Sequence, residues 1–153
     1  QPGGPPLVIA GGGERTLDQV ARLADACNFG AGPAGNVDTP DDARARLAVL
    51  DRRCEANGRN PTDVLRSHFT HWLIVAPDEA ALRAKIERYF PQGLDAFWGK
   101  YLVAGTPDRI IAYYQGFANA GIGYFVVQTL DAHDEETLAL VTERIAPRIA
   151  PAR

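Results

Sequence analysis

The residues best suited to bind a ligand are three consecutive glycines, Gly11, Gly12 and Gly13. They follow the short apolar run from Leu7 to Ala10 and precede a helical pattern. A strand that runs into glycines and then a helix presents backbone N–H groups with no Cβ atoms in the way, so a flat or phosphorylated ligand can approach closely. A tight strand-to-helix turn without a ligand explains the same residues equally well. The spacing Gly11-x-Gly13-x-x-Thr16 lacks the third glycine of the dinucleotide fingerprint and favours a Rossmann domain only weakly.

Other residues that could take part in chemistry give weaker indications of function. His68 and His71 are three apart on a predicted strand, so their side chains point to opposite faces, and we predict no metal site. We expect Cys27 to be a buried, inert thiol. The chain has no Gly-x-Ser-x-Gly, no phosphate-binding Walker loop and no His-Glu-x-x-His, and no catalytic residue can be named. Several aromatic residues either cover a pocket mouth, seal a subunit interface or pack in the core: Tyr89, Phe90, Phe97, Trp98 and Tyr101.

Composition limits the class of protein. A chain of 153 residues with 46% hydrophobic and 23% charged residues predicts one globular unit, residues 1–153, with a core of its own. The net charge of −3 argues against a nucleic-acid surface. No apolar run reaches the roughly 18 residues that a membrane span needs, so we predict neither nucleic-acid nor membrane partners. Two cysteines far apart in sequence favour reduced thiols and a cytoplasmic location. The lack of methionine and the opening Gln-Pro-Gly-Gly-Pro-Pro suggest a fragment of a longer chain.

Hydrophobic periodicity predicts that strand and helix alternate four times. The predicted strands are Leu7 to Ala10, Ala26 to Phe29, Arg66 to Val75 and Tyr124 to Thr129. Thr39-Pro40 predicts the capped start of a helix that ends at Asn57-Gly58. A short helix is expected around Leu94 to Tyr101 within a less regular stretch, and the last helix is expected to bury Leu138, Val141 and Ile145. On the third strand we expect His68, Thr70, Trp72 and Ile74 to share one face, and Phe69, His71, Leu73 and Val75 the other.

This alternation predicts an α/β fold with a parallel sheet and right-handed crossovers. Four such units fit either a small doubly wound sheet or half of an eight-stranded βα barrel, which typically has about 250 residues. The periodicity alone does not choose between them.

The order of several motifs does suggest a choice. The segments that carry it are Leu7 to Leu17, Val20 to Asn28, Leu47 to Leu50, Cys54 to Pro61, Gly105 to Asp108, Ala120-Gly121 and Glu143 to Pro147. Together they resemble the C-terminal half of the bacterial luciferase-like flavin and deazaflavin oxidoreductases, most of all the branch that uses the deazaflavin coenzyme F-420. The resemblance implies the second half of a TIM barrel, with strands five to eight present and the N-terminal half absent.

The resemblance also implies a cofactor site. It places Ala10, Gly11, Gly12 and Gly13 beside the deazaflavin ring or its linker, and it places a second group near the phosphate: Asn28, Phe29, Gly30, Ala31 and Gly32. Ligands of such barrels lie at the carboxyl ends of the strands, which agrees with this assignment. The loop from Gly30 to Gly35 departs from a usual phosphate site, because it contains no Lys, Arg, Ser or Thr.

These expectations define one hypothesis and one alternative. The hypothesis is a luciferase-like oxidoreductase that transfers a hydride to, or monooxygenates, a small organic substrate, with F-420 as cofactor and FMN as the alternative. Its expected partners are that substrate and the N-terminal half of the same barrel or a second copy of the chain, in a homo-oligomer. The alternative is a stand-alone α/β module that binds a small ligand or a partner without catalysis.

Overall fold

The computed structural model describes residues 4–32, 35 and 37–150, with backbone alone for residues 96–98. Five parallel strands form one sheet. The strands are β1 (Val8–Ala10), β2 (Ala26–Gly30), β3 (Leu65–Val75), β4 (Leu102–Gly105) and β5 (Tyr124–Thr129). The helices are α1 (Glu14–Leu23), α2 (Pro40–Ala56), α3 (Glu79–Tyr89), α4 (Ala96–Tyr101), α5 (Pro107–Asn119) and α6 (Glu135–Ala139), which continues as a π-helical segment, Leu140–Ile145. The sheet curls into a half-barrel with helices between its strands, and this confirms the predicted α/β class.

The central strand β3 carries most of the sheet. Its residues Ser67 to Phe69 pair with β2 on one edge and with β5 on the other. Leu73 pairs with both β4 and β5, so β4 lies on the same edge of β3 as β2 does, beyond the carboxyl end of β2. The prediction of four strands was therefore one short. Strand β4 has only four residues and follows directly on a short helix, so it is too short to show a hydrophobic alternation of its own in the sequence.

The predicted faces of β3 are correct up to Thr70 and wrong from Leu73 onward. His68 packs on Phe117 of α5, and Thr70 accepts a hydrogen bond from Tyr114 of the same helix. Leu73 and Val75 also pack against α5, although they were expected on the opposite face. The reason is a β-bulge, because the four residues from Thr70 to Leu73 oppose only three residues of β5, Val127 to Thr129. One extra residue exchanges the two faces of every position after it.

The core lies between the helices and one face of the sheet. The predicted stripe of α1, which is Leu17, Val20, Ala21 and Ala24, is confirmed as fully buried. Ala43, Leu47, Leu50 and Cys54 of α2 are buried as well. At the start of α2, the Thr39 side chain accepts a hydrogen bond from the Asp42 N–H, and the Asp42 carboxylate accepts one from the Thr39 N–H. This reciprocal cap is the start that the sequence predicted.

The last helix keeps two of its three predicted core residues. Ile145 is buried and Val141 packs against the same core cluster, whereas Leu138 is 43% exposed and Leu140 is buried instead. The segment from Leu140 to Ile145 is a π-helix, in which each turn takes up more residues than in an α-helix. A period of 3.6 residues therefore does not describe the spacing of the buried positions along this segment.

The sheet face opposite the helices is open. Val8, Leu65, Tyr124 and Val126 are between 39% and 56% exposed. Val8 and Leu65 pair with the same residue of β2, Ala26, so they occupy one row across the sheet. The described part of the chain places no second layer over these side chains. Large exposed apolar patches on a sheet are typical of surfaces that meet another element.

Candidate functional site

A cavity lies at the carboxyl ends of β1 and β2, beside the middle of β3, and we call it the edge cavity. Its volume is about 160 Å³. Six of the nine predicted cofactor residues line it: Ala10, Gly11, Asn28, Phe29, Gly30 and Ala31. The other three, Gly12, Gly13 and Gly32, are not part of its wall. Gly35, Phe69 and His71 complete the wall, and the sequence analysis did not assign them to a site.

The glycine run leaves the backbone open at this edge. Gly11 has a φ of 125°, which favours glycine, and its N–H donates to the carbonyl of Asn28 at 3.0 Å. Gly13 is extended, and a Cβ built on it would meet only the Thr16 hydroxyl, at 3.8 Å. Gly13 is also the N-cap of α1 and provides no side-chain hydrogen bond to the first turn. The free N–H groups of that turn are suited to an anionic group.

Asn28 is held at the cavity wall by a neighbouring strand. The Ser67 hydroxyl, which is buried, lies 2.8 Å from the carbonyl oxygen of Cys27 and 2.9 Å from Oδ1 of Asn28. Ser67 and Asn28 are register partners in β3 and β2. The hydroxyl has one proton to donate, so it bonds to one of these oxygens at a time. This contact joins residues 39 positions apart, and the sequence pattern gave no signal for it.

Aromatic rings cover the outer side of the edge cavity. The ring of His71 lies 4.9 Å from Phe69 and 4.9 Å from Tyr101, measured between centroids. Tyr101 also covers Gly32, because a Cβ built on Gly32 would lie 2.7 Å from the Tyr101 hydroxyl oxygen. Gly32 was predicted as a cofactor contact, and in the structure it lies beneath this ring. Its N–H donates to Asp38 at 2.8 Å.

A second cavity, which we call the gap cavity, lies beside the first. Strand β2 ends at Gly30, opposite Phe69, and β4 begins at Leu102, opposite Trp72. Between these points no strand pairs with that edge of β3, and a space of about 350 Å³ results. Its wall includes Asp38, Thr70, Lys100, Leu102, Val103 and Tyr113 together with His68. Ala31, Phe69, His71 and Tyr101 also line it, and the first three of these belong to the edge cavity as well.

His68 is the most unusual side chain of the gap cavity. It is 1% exposed, and neither ring nitrogen has a hydrogen-bond partner among the described residues. Burial lowers the pKa of His68 to about 4; the neighbouring His71 lowers it further, whereas the Val37 backbone and Asp38 partly offset the effect. The Val37 backbone raises the pKa of His68 although its position relative to the ring does not meet the geometry of a hydrogen bond. His68 is therefore a neutral imidazole at pH 7.

The remaining candidates are the two cysteines and the pair of histidines on β3. Cys27 and Cys54 are free and buried, and burial raises the pKa of Cys27 to about 11, so its thiol is protonated at pH 7. His68 and His71 lie on opposite faces of β3 as predicted, yet both reach the gap cavity because the sheet is interrupted there. Within the described residues, no group of three or more His, Cys, Asp or Glu side chains is arranged to hold a metal ion.

The contact between Gly32 and Tyr101 can be tested with a matched glycine. Gly32 and Gly93 both have a φ of 85°, but a Cβ on Gly93 meets nothing within 4 Å. Both substitutions to alanine strain the backbone by about 1 kcal/mol, and Gly32→Ala additionally displaces the tyrosine ring. We expect Gly32→Ala to lower the free energy of unfolding by about 1 to 2 kcal/mol more than Gly93→Ala in urea titrations. Equal losses would contradict the packing of Tyr101 on Gly32.

Comparisons with known proteins bear on the fold. No family model matches the chain, and no curated protein matches its sequence. Among solved structures, it is similar to a coenzyme F-420-dependent tetrahydromethanopterin reductase from Methanopyrus kandleri, with 15% identity and a TM-score of 0.69 over 95% of this chain and 51% of the reductase. It is also similar to a riboflavin lyase solved with modified FMN and riboflavin, with 14% identity and a TM-score of 0.72 over 94% of this chain and 42% of the lyase. A long-chain alkane monooxygenase is similar as well, with 17% identity and a TM-score of 0.70 over 97% of this chain and 42% of the monooxygenase.

These similarities confirm the predicted resemblance at the level of the fold. The chain spans about half the length of the proteins that it matches, and over that span it shares their fold. At 14% to 17% identity the comparison supports a shared fold and does not identify a substrate or a reaction. Among the described helices, none has the length and apolar character to cross a membrane.

Proposed function

We propose that this chain is the cofactor-binding half of a cytoplasmic luciferase-like oxidoreductase that acts on a small organic substrate by hydride transfer or monooxygenation. The observation that carries the proposal is the edge cavity, which lies at the carboxyl ends of β1 and β2 next to an uncapped helix start. Ligands of parallel βα folds bind at this end of the strands. The proposed cofactor is coenzyme F-420, and the alternative is FMN. Buried, protonated thiols are compatible with a reducing compartment.

The residues of the site fit such a cofactor. The open backbone from Gly11 to Gly13, together with Ala10, suits close contact with a flat ring or its linker. Asn28, Phe29, Gly30, Ala31 and Gly32 are the proposed contacts near the phosphate. Phe69 and the rings around it exclude water from that side of the cavity. When it is bound, the cofactor supplies the hydride or the activated oxygen.

The open sheet face supports the proposal of a missing partner. Val8, Leu65, Tyr124 and Val126 are exposed on the face that becomes the interior of a closed barrel. The proposed partner is the N-terminal half of the same barrel, or a second copy of the chain within a homo-oligomer. No catalytic residue is proposed in this chain, because the acid or base for the reaction is expected on the other half.

The choice of cofactor is tested by equilibrium titration of the protein expressed from its complete gene. F-420 carries an anionic oligoglutamate tail that FMN lacks, and Arg15 and Arg109 are at helix starts where this tail could leave the site. Arg109 is 66% exposed and lies 3.6 Å from Glu79, a weak ion pair that an anion can replace. We expect F-420 to bind more tightly than FMN, and its affinity to fall more steeply with salt. Tighter FMN binding would reverse the choice of cofactor, and binding of neither would favour the non-catalytic module.

The position of the cofactor is tested with Gly13→Val. A Cβ at Gly13 meets only an ordinary contact, and the extended backbone there accepts a branched side chain, so we expect the fold to be retained. We expect cofactor affinity to fall at least about tenfold, which corresponds to about 1.4 kcal/mol, because the side chain occupies the path of the ligand. Gly123→Val is the matched control, since a Cβ there meets nothing within 4 Å and lies at the amino end of β5. Unchanged affinity in a folded Gly13→Val protein would remove the cofactor from this turn.

A further inference from the structure

The loop proposed to lie near the cofactor phosphate has no cationic side chain of its own. Residues 30–35 include no Lys, Arg, Ser or Thr, and the N–H of Gly32 is already bonded to the Asp38 carboxylate at 2.8 Å. An anion that leaves water for a cleft without charged or hydrogen-bonding partners loses the free energy of its hydration. A phosphate at this place therefore needs donors from another part of the chain.

His71 of β3 is the one titratable side chain in the described wall of the edge cavity. Its Cε1 atom lies 3.6 Å from the place that a Cβ on Gly30 would occupy, at the end of β2. Cε1 is bonded to both ring nitrogens, so the polar edge of the imidazole is turned toward Gly30. Histidine is the side chain whose charge changes near neutral pH, and its cation donates from both nitrogens.

The ring of His71 is held in place, yet its nitrogens are accessible. Phe69 and Tyr101 each lie 4.9 Å from it between centroids, and the side chain is half-buried. Both nitrogens of His68 are fully buried, whereas those of His71 are not. No described residue forms a hydrogen bond with the His71 nitrogens. They are therefore available to a ligand in the cavity.

Asn28 adds a neutral donor to the same wall. Its Oδ1 lies 2.9 Å from the Ser67 hydroxyl, which leaves Nδ2 as the atom that can donate to a ligand. No carboxylate belongs to the described wall of the edge cavity. Asp38 and Lys100, which line the neighbouring gap cavity, are exposed and opposite in charge. The described wall therefore favours an anion over a cation.

We propose that His71 binds the phosphate of the ligand in the edge cavity, so that its imidazolium supplies the charge that the loop at residues 30–35 lacks and Asn28 donates a further hydrogen bond. The identity of the ligand as FMN or F-420 rests on the proposed function, whereas the phosphate site itself does not. Hydrogen bonds between a cation and a phosphate are roughly twice as strong as neutral ones. The assignment extends the site from β1 and β2 to β3.

Two flavins that differ only in the phosphate test the proposal, because FMN carries it and riboflavin does not. Both are titrated into the protein expressed from its complete gene, as wild type and as His71→Phe, which keeps a ring between Phe69 and Tyr101. We expect His71→Phe to lose at least about tenfold in FMN affinity and less than about twofold in riboflavin affinity. His133→Phe is the matched control on an exposed histidine and is expected to lose neither. If the protein prefers F-420, the ribityl deazaflavin without the phosphate replaces riboflavin.

The pH dependence distinguishes the charge of His71 from its packing. Between about pH 6 and pH 8 we expect the FMN affinity of wild type to fall at least about fivefold relative to that of His71→Gln, because glutamine keeps a donor but has no charge to lose. The FMN phosphate, which itself titrates near pH 6, is common to both titrations. The charged and titratable side chains around His71 are also the same in both proteins: His68, Asp38, Lys100, Tyr101 and Tyr113.

The outcomes separate this proposal from the proposed function. If a cofactor binds but His71→Phe weakens FMN and riboflavin equally, or weakens neither, the role of His71 is overturned and the proposed function stands. If neither FMN nor F-420 binds, inorganic phosphate decides. A shift of the His71 ring ¹⁵N resonances on adding phosphate, with those of His133 unchanged, would support the phosphate site and refute the proposed function alone, whereas unmoved resonances would overturn both. These wild-type spectra also decide the point if His71→Phe fails to fold.

Discussion

Acidification from pH 7 to pH 4 is expected to lower the free energy of unfolding by about 3 kcal/mol through His68 alone. The pKa of His68 is lowered to about 4 in the folded chain, chiefly by burial, whereas an unfolded histidine titrates near its ordinary value of 6.5. Below pH 6.5 the unfolded state therefore takes up a proton that the folded state does not. Stability is fully present above this pH and is lost as the pH falls toward 4.

The measurement is a series of urea unfolding curves between pH 7 and pH 4. The folded protein also loses stability in acid when the carboxylates of Asp42 and Asp134, whose pKa values are lowered, take up protons. The effect of His68 is therefore taken from the difference in the free energy of unfolding between wild type and His68→Gln. We expect this difference to change by about 3 kcal/mol over the pH range. His133→Gln is the control, because His133 is exposed and its side chain makes no described hydrogen bond. An identical pH profile for wild type and His68→Gln would show that His68 is hydrated in solution.

Replacing Lys85 by methionine is expected to lower the free energy of unfolding by about 3 kcal/mol at pH 7. The Lys85 side chain is 12% exposed, and its ammonium donates to the carbonyl of Val75 at 2.9 Å and to the hydroxyl of Thr137 at 3.1 Å. It also pairs with Asp134 at 3.0 Å and with Glu136 at 2.9 Å. Methionine keeps the length of the side chain but leaves the carboxylate of Asp134, which is 14% exposed, without its cation.

Two controls identify this network as the cause. Arg83→Met lies on the exposed side of the same helix, α3, and is expected to change stability by less than about 0.5 kcal/mol. The double variant Lys85→Met/Asp134→Asn is expected to lose less than the sum of the two single variants, because the uncompensated charge is gone. Burial alone would lower the pKa of Lys85, but the hydrogen bonds to Glu136 and Asp134 raise it, so the pair remains intact at pH 7 and is lost only in strong alkali. Additive losses would contradict the coupling.

Local signals in the sequence predicted much of the fold. The helix start at Thr39, the buried stripe of α1 and the order of the longer strands follow from capping chemistry and periodicity, which act within a few residues. The bulge after Thr70 and the short strand β4 depend on pairing between distant segments. Neither feature is visible in the hydrophobic periodicity of the sequence. For the same reason the faces of β3 were predicted correctly as far as Thr70 and incorrectly from Leu73 onward.

The candidate site shows the same division. Consecutive glycines after a strand are visible in any sequence, and the structure places Gly11 with Asn28 and Gly30 around one cavity. The position of Tyr101 over Gly32 joins residues 69 positions apart, and the gap cavity exists only because β2 ends before β4 begins. These features arise from sheet register and from the path of α4, so sequence reasoning had no local signal for them.

The decisive measurement is a crystal structure of the protein expressed from its complete gene, grown with whichever of F-420 and FMN it binds. We expect a closed barrel in which a second half covers Val8, Leu65 and Tyr124, with the cofactor ring at the carboxyl ends of β1 and β2 against the backbone of Gly11 to Gly13. A protein whose open sheet face stays exposed to solvent, or a cofactor bound away from the glycine run, would contradict it.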